Sequence, residues 1–177
     1  MARAPLRPGR RGLLLAASAA AVGGCGFRPV YGTRESGSSP VQDRLGEVNV
    51  LLIPERWGQI LRQALQERLE RSGDSAARRY DLSVQVGLSA EPIAIQPDTS
   101  VTRIRMIATA NWTLMSQGPQ RTTLASGTSR EVDGFDVINQ QFFGAELARQ
   151  TALRRQMEAL AEQITIRLAT YFARQPA

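Results

Sequence analysis

Two long segments of strictly alternating side chains constrain the fold of this chain most. Residues 80–90 and 102–114 place an apolar side chain at nearly every second position and a polar one between. Successive side chains of a strand point to opposite faces, so a period of two predicts strands with one buried and one wet face. The apolar positions are Tyr80, Leu82, Val84, Val86, Leu88, Ile104, Met106, Ala108, Ala110, Trp112 and Leu114.

The remaining segments complete the predicted order of elements. Residues 47–53 read as a strand that ends at Pro54, and residues 121–131 as a weaker, Ser/Thr-rich strand. We expect residues 91–100, with two prolines, to form a loop, and residues 117–119 a turn. Apolar residues at spacings of three and four predict one helix from Trp57 to Leu69 and a long one after Gly134. The apolar stripe of the long helix is Leu147, Leu153, Met157, Leu160, Ile164, Leu168 and Tyr171.

This order, β-α-β-β-β-α, predicts an α+β domain. We expect a single sheet of about four strands with two helices packed on one face. Packing onto the sheet accounts for the apolar stripe of the long helix, and binding of a partner is the alternative.

The first 24 residues have the pattern of an export signal. Four arginines and no acidic residue precede residue 13, and residues 13–24 carry no charge. The uncharged run is shorter than the ~20 residues that cross a bilayer, so a signal peptide over residues 1–24 is the prediction. The pair Arg10-Arg11 leaves general and twin-arginine export both open.

The chain has one cysteine, Cys25, directly after this segment. An intermolecular disulfide, an incidental residue or a modified residue could explain it. Val22-Gly23-Gly24-Cys25 resembles a bacterial lipobox, which predicts cleavage between Gly24 and Cys25. Cys25 would then carry a diacylglycerol and a further acyl chain such as palmitate, a stable membrane anchor. Gly26, rather than Asp, favours the outer membrane.

Cleavage there would leave 153 of the 177 residues. We expect residues 25–46, rich in Gly, Ser and Pro, to form the lipidated N-terminus and a flexible tether, and residues 47–177 to form the folded domain. Losing the four signal-peptide arginines lowers the formal charge from +6 to +2, so the basic composition does not indicate nucleic-acid binding.

The missing residue types limit the chemistry. The sequence has no His and no Lys, which excludes His-based acid–base catalysis, Ser–His and Ser–Lys nucleophiles, Schiff bases and nearly all zinc sites. A carboxylate pair remains conceivable, but we expect Asp133 and Asp136 to lie in a Gly-containing turn. The prediction is a protein without catalytic residues, metal or cofactor.

The run Cys-Gly-Phe-Arg-Pro-Val-Tyr-Gly at residues 25–32 resembles the lipopolysaccharide-assembly lipoprotein family, LptE. The Thr102-Arg103 pair before an apolar strand and the long C-terminal helix agree with this resemblance. It implies a non-enzymatic lipoprotein on the periplasmic side of the outer membrane, inside an LptD-like β-barrel whose assembly it supports, that binds lipopolysaccharide during insertion. The alternative is a lipid-binding or envelope-maintenance lipoprotein without a barrel partner.

Arginines are the candidate lipopolysaccharide contacts, since the guanidinium matches phosphate in a bidentate manner. Arg103 and Arg105 are two residues apart on one predicted strand and share its polar face. Arg121 and Arg130, predicted on the neighbouring strand, are further candidates. A solvated sheet face with occasional ion pairs is the other interpretation of these arginines.

Overall fold

Seven elements build the folded part of the chain, seen in a computed structural model that describes residues 40–70, 77–95, 101–137 and 142–175. The elements are α1 (Pro40–Gly46), β1 (Val48–Val50), α2 (Arg56–Leu69), β2 (Tyr80–Ile95), β3 (Val101–Ser116), β4 (Thr123–Asp136) and α3 (Phe142–Arg174). The predicted α+β class and the order of the sheet strands and two long helices are confirmed, and α1 is an addition.

The four strands form one sheet in the order β1-β2-β3-β4. β1 runs parallel to β2, with Val48 opposite Tyr80, and α2 is the crossover between them. β2, β3 and β4 pair antiparallel, so the long central strand β3 is bonded on both sides. The alternation in residues 80–90 and 102–114 therefore reports two neighbouring strands of one sheet.

Helix α1 corrects the predicted tether. Residues 40–46 are helical, beginning at Pro40, a favoured first position because its fixed φ suits the helix. The side chain of Leu45 is fully buried in the main core. Val41 packs against the same core, so residues 40–46 belong to the domain. Two apolar residues in a seven-residue helix are too few to reveal a helical period in the sequence. Residues 1–39, with Cys25 and the predicted signal peptide, lie outside the described residues.

Residues 91–95 of the predicted loop, and the predicted turn that holds Asp133 and Asp136, are strands. β2 continues to Ile95 through Pro92, where the register with β3 shifts. β1 pairs only with the first residues of β2. At Pro92 no strand of the described residues lies along the second edge of β2, so the missing N–H of Pro92 breaks no bond to a described strand. β4 continues to Asp136, so Asp133 and Asp136 lie in a strand and not in a turn. Residues 96–100 lie outside the described part.

The core lies between one face of the sheet and the helices. Alternate residues of β2 and β3 pack against α2 and α3, and small residues such as Ala108 and Ala110 allow close packing. The largest buried side chains of α2 and α3 are Leu61, Leu65, Leu69, Met157, Leu160, Ile164, Leu168 and Phe172. Gly127 of β4 lies opposite Trp112 of β3, and a Cβ at residue 127 would lie 2.8 Å from Trp112 Cζ2.

The apolar stripe of α3 packs onto the sheet over most of its length, with two departures. Leu147 is 58% exposed and Tyr171 is half-buried, whereas Gln156 and Thr165 are buried. Gln156 is tolerated there because its Nε2 donates to the Met106 carbonyl at 2.8 Å. No helix within the described residues has the length and apolarity that crossing a membrane requires.

Candidate functional site

The sheet face opposite the helices is the polar sheet face. It carries the residues that alternate with the core positions, and it holds three of the four candidate arginines. Its central part is rich in hydroxyl and amide side chains, as in the hydrogen bond from Thr128 Oγ1 to Asn111 Oδ1, 2.8 Å long. Other members are Ser83, Gln85, Ser89, Thr109, Thr113 and Ser126. This is the wet face that the alternation predicts.

Arg103 and Arg105 lie near the start of β3 on the polar sheet face, as predicted. Each has an acidic neighbour on an adjacent strand: Arg103 Nη1 is 3.0 Å from Asp136 Oδ1, and Arg105 Nη1 is 3.8 Å from Glu91 Oε2. All four side chains are about half exposed. Exposed ion pairs of this kind are weak, so both guanidiniums can leave their carboxylates and bind another anion.

Arg130 lies on the same face within β4, whereas Arg121 lies outside the strands. Arg130 is opposite Thr109, four residues along β3 from Arg105, a separation of about 13 Å at the rise of a strand. In the part of the chain that the structure describes, no acidic side chain lies within 4 Å of Arg130. Arg121 precedes β4 in the turn at the opposite end of the sheet. The structure thus groups Arg103, Arg105 and Arg130.

Arg121 is engaged by a buried carboxylate instead. Its Nη2 lies 3.5 Å from Oδ2 of Asp81, which is 3% exposed. Asp81 Oδ1 accepts hydrogen bonds from Asn49 Nδ2 at 2.9 Å and Gln117 Nε2 at 2.7 Å. The pKa of Asp81 lies below its ordinary value, chiefly because of the hydrogen bond from Asn49. Burial raises the pKa, but the hydrogen bond from Gln117 and the charge of Arg121 lower it further. Asp81 joins β1, β2 and the β3–β4 turn.

The carboxylates considered for catalysis do not converge. Asp133 is opposite Met106 on the helix face of β4, where Arg155 Nε donates to it at 2.9 Å. Asp136 is opposite Arg103 on the polar sheet face. Among residues 40–70, 77–95, 101–137 and 142–175, no group of three His, Cys, Asp or Glu side chains is arranged to hold a metal ion.

A feature that the sequence did not indicate is a cleft between the two long helices and the sheet, here the helix–sheet cleft. Two adjoining hollows of about 320 and 510 Å³ share Trp57, Arg149 and Leu153 in their walls. Beside it, hydrogen bonds from Arg149 and then Gln150 lower the pKa of Glu146 to about 2. Glu55, at its edge, has φ 67°, a strained value for a residue other than glycine.

Comparison with known proteins places the chain in a family. The family model described as LptE, Lipopolysaccharide-assembly, matches residues 45–168, well over half of the chain. The protein is therefore of the lipopolysaccharide-assembly lipoprotein class. The chain belongs to the LptE family. This confirms the resemblance stated from the sequence. No curated protein matches the chain.

Solved structures share the fold at low identity. A chain from Caulobacter crescentus CB15 described as a lipoprotein is 22% identical, with a TM-score of 0.59 over 76% of this chain and 97% of that one. The rare lipoprotein B from Shewanella oneidensis is 11% identical, with a TM-score of 0.51 over 70% and 92%. A minor lipoprotein from Acinetobacter baumannii is 12% identical, with a TM-score of 0.51 over 70% and 91%. These likenesses support the fold.

Proposed function

We propose that this protein is a non-enzymatic outer-membrane lipoprotein that partners an LptD-like β-barrel and binds lipopolysaccharide during its insertion. The observation that carries the proposal is the family match, which spans nearly the whole described domain from α1 into the last turns of α3. The barrel partnership and the outer-membrane location follow from what that family implies.

The polar sheet face supports lipopolysaccharide binding. Lipid A phosphates need cations, and Arg103, Arg105 and Arg130 share one sheet face, which no described helix covers. The carboxylates beside Arg103 and Arg105 are exposed, so a phosphate that bonds two guanidinium nitrogens competes with them on favourable terms. The hydroxyl-rich centre of the face offers neutral hydrogen-bond partners for sugar groups.

The anchor remains a proposal from the sequence. Acyl chains on Cys25 would hold the protein at the membrane, because two or more chains bind stably where one binds marginally. The 14 residues between Cys25 and Pro40 would span roughly 20 Å if flexible. That distance keeps the folded domain, with its polar sheet face, within reach of lipids and of a membrane-embedded partner.

Depletion of the protein in its native cell tests this function. We expect the amount of correctly folded barrel and the lipopolysaccharide at the cell surface to fall together, and wild-type protein to restore both. A Cys25→Ala chain should restore neither, because it is not anchored. Unchanged barrel folding on depletion would contradict the partnership and favour a lipoprotein that acts without a barrel.

A further inference from the structure

The helix–sheet cleft has an apolar floor that the helices leave uncovered. Along β2, burial of the inward-facing side chains falls steadily: Leu82 and Val84 are buried, Val86 and Leu88 are half-buried, and Ala90 is exposed. These positions share the core face, so the sheet extends apolar surface beyond the helices. Exposed contiguous apolar surface of this kind marks a binding site more often than scattered single residues do.

The mouth of the helix–sheet cleft is basic. Arg56, Arg149 and Arg154 line the smaller hollow, next to the exposed Leu147. Arg149 is occupied, since its Nε and Nη2 donate to Glu146 at 2.9 and 2.8 Å. For Arg56 and Arg154, no acidic side chain of the described residues lies within 4 Å.

The balance of charge leaves the mouth of the cleft cationic. Of the described side chains that line the two hollows, three are arginines, Arg56, Arg149 and Arg154, and Glu55 is the only acidic one. Glu146, beside the cleft, pairs with Arg149 and interacts electrostatically with Arg56 at longer range. An apolar floor beneath the guanidiniums of Arg56 and Arg154 complements a molecule with a hydrocarbon chain and an anionic head. A purely apolar or a cationic ligand would leave these two arginines unused.

We propose that the helix–sheet cleft binds one acyl chain of an anionic phospholipid, with Arg56 and Arg154 at the phosphate. The chain would lie along Val86, Leu88 and Ala90, between Trp57 and Leu153. The two hollows have the size of a small-ligand pocket, which suits a single chain and not the several chains of a lipid A. The site is on the opposite face of the sheet from Arg103 and Arg105, and it does not depend on the proposed function.

Native mass spectrometry of the mature full chain, released from mild detergent, tests the proposal. The probes are lysophosphatidylglycerol and lysophosphatidylcholine with the same 14-carbon chain; both carry a phosphate, but the choline cation of the second makes its head neutral overall and would lie close to the two arginines. We expect one molecule of the anionic probe to bind, about tenfold more tightly than the zwitterionic one, because its net negative charge strengthens the charge-assisted hydrogen bonds to the arginines.

Two variants locate the binding. Ala90→Phe places a ring over the cleft floor and should abolish binding of both probes. Arg56→Gln with Arg154→Gln, on the surface and without structural bonds, should reduce binding of the anionic probe to the level of the zwitterionic one. The matched control is Arg167→Gln with Arg174→Gln, two exposed arginines of α3 outside the cleft, and it should bind like wild type.

Equal binding of the two probes to wild type would overturn the proposal, as would a preference that survives the Arg56 and Arg154 changes. Absence of any probe binding would also overturn it and would leave the cleft to an apolar segment of a protein partner. None of these results bears on Cys25, Arg103 or the barrel, so a failure here is distinct from a failure of the proposed function.

Discussion

The carboxylate of Asp81, almost fully buried at the start of β2, lies 3.5 Å from the guanidinium of Arg121 in the β3–β4 turn. Asn49 of β1 and Gln117 of the same turn donate to the other oxygen of the carboxylate. One side chain therefore connects the parallel edge strand, its neighbour and the turn of the adjacent hairpin. Arg121 completes this connection, which is why it stands apart from the arginines of the polar sheet face.

Replacing Asp81 should destabilise the domain in a pH-dependent way. Asp81→Ala leaves the amides of Asn49 and Gln117 without an acceptor, which costs about 1–3 kcal/mol at pH 7. The folded state lowers the pKa of Asp81 below 3.8, so its stabilisation is present above that pH and is lost as pH falls through the folded value. In urea denaturation, the difference between variant and wild type should be constant from pH 7 to 5 and shrink below about pH 4.

Asp136→Ala is the control for Asp81. Its exposed pair with Arg103 should contribute less than about 1 kcal/mol. Equal losses for the two variants at pH 7 would contradict the structural role of Asp81.

Two strand glycines should respond in opposite directions to alanine. Gly127→Ala brings a methyl group into the Trp112 ring and should destabilise the domain by about 1–3 kcal/mol. Gly87, on the polar sheet face, has no atom within 4 Å of the new Cβ, so Gly87→Ala should be neutral or stabilising by up to about 1 kcal/mol. Chemical denaturation measures both. A tolerated Gly127→Ala would contradict the packing of β4 against Trp112.

Removing the paired arginines should weaken lipopolysaccharide binding without unfolding the protein. We expect Arg103→Gln with Arg105→Gln to lower the affinity at least about tenfold, since each charge-assisted bond to phosphate contributes about 1.5–3 kcal/mol. Circular dichroism should be unchanged, because both side chains are exposed. Arg121→Gln is the matched control and should bind like wild type. Unaltered binding by the double variant would eliminate this site.

Removing the neighbouring carboxylates should have the opposite effect. Glu91→Gln with Asp136→Asn frees Arg105 and Arg103 from their acidic neighbours, and lipopolysaccharide affinity should rise by about twofold to fivefold, the size of a weak surface pair. The same binding assay at low and high salt checks this, because the gain should shrink at high ionic strength. A fall in affinity would show that these carboxylates belong to the binding site.

The parts of the fold that could be predicted from the sequence are those with a local pattern. Strands β2 and β3 alternate over many residues, and α2 and most of α3 keep helical spacing. Leu45 in α1 could not be predicted, because one buried residue makes no period. Continuation of β2 past Pro92 depends on how short β1 is, which is a property of the sheet and not of residues 91–95.

The candidate site was predictable only in part, because only some of its features depend on a local sequence pattern. Arg103 and Arg105 share a face because they are two residues apart on one strand, which needs no tertiary information. The separation of Arg121 from them depends on the β3–β4 register, and the burial of Asp81 depends on Asn49 and Gln117, both distant in sequence. The helix–sheet cleft depends on how far the helices cover β2, which no local pattern records.

The central claim, a lipid-anchored partner of a lipopolysaccharide-inserting barrel, is tested most directly by affinity purification of the C-terminally tagged full chain from native membranes in mild detergent. Mass spectrometry then identifies the copurified proteins and the N-terminal peptide. We predict one large β-barrel protein in near-equal amount, and an N-terminal peptide that begins with acylated Cys25. An acylated Cys25 without any barrel protein would contradict the claim and favour a lipoprotein that binds lipids on its own.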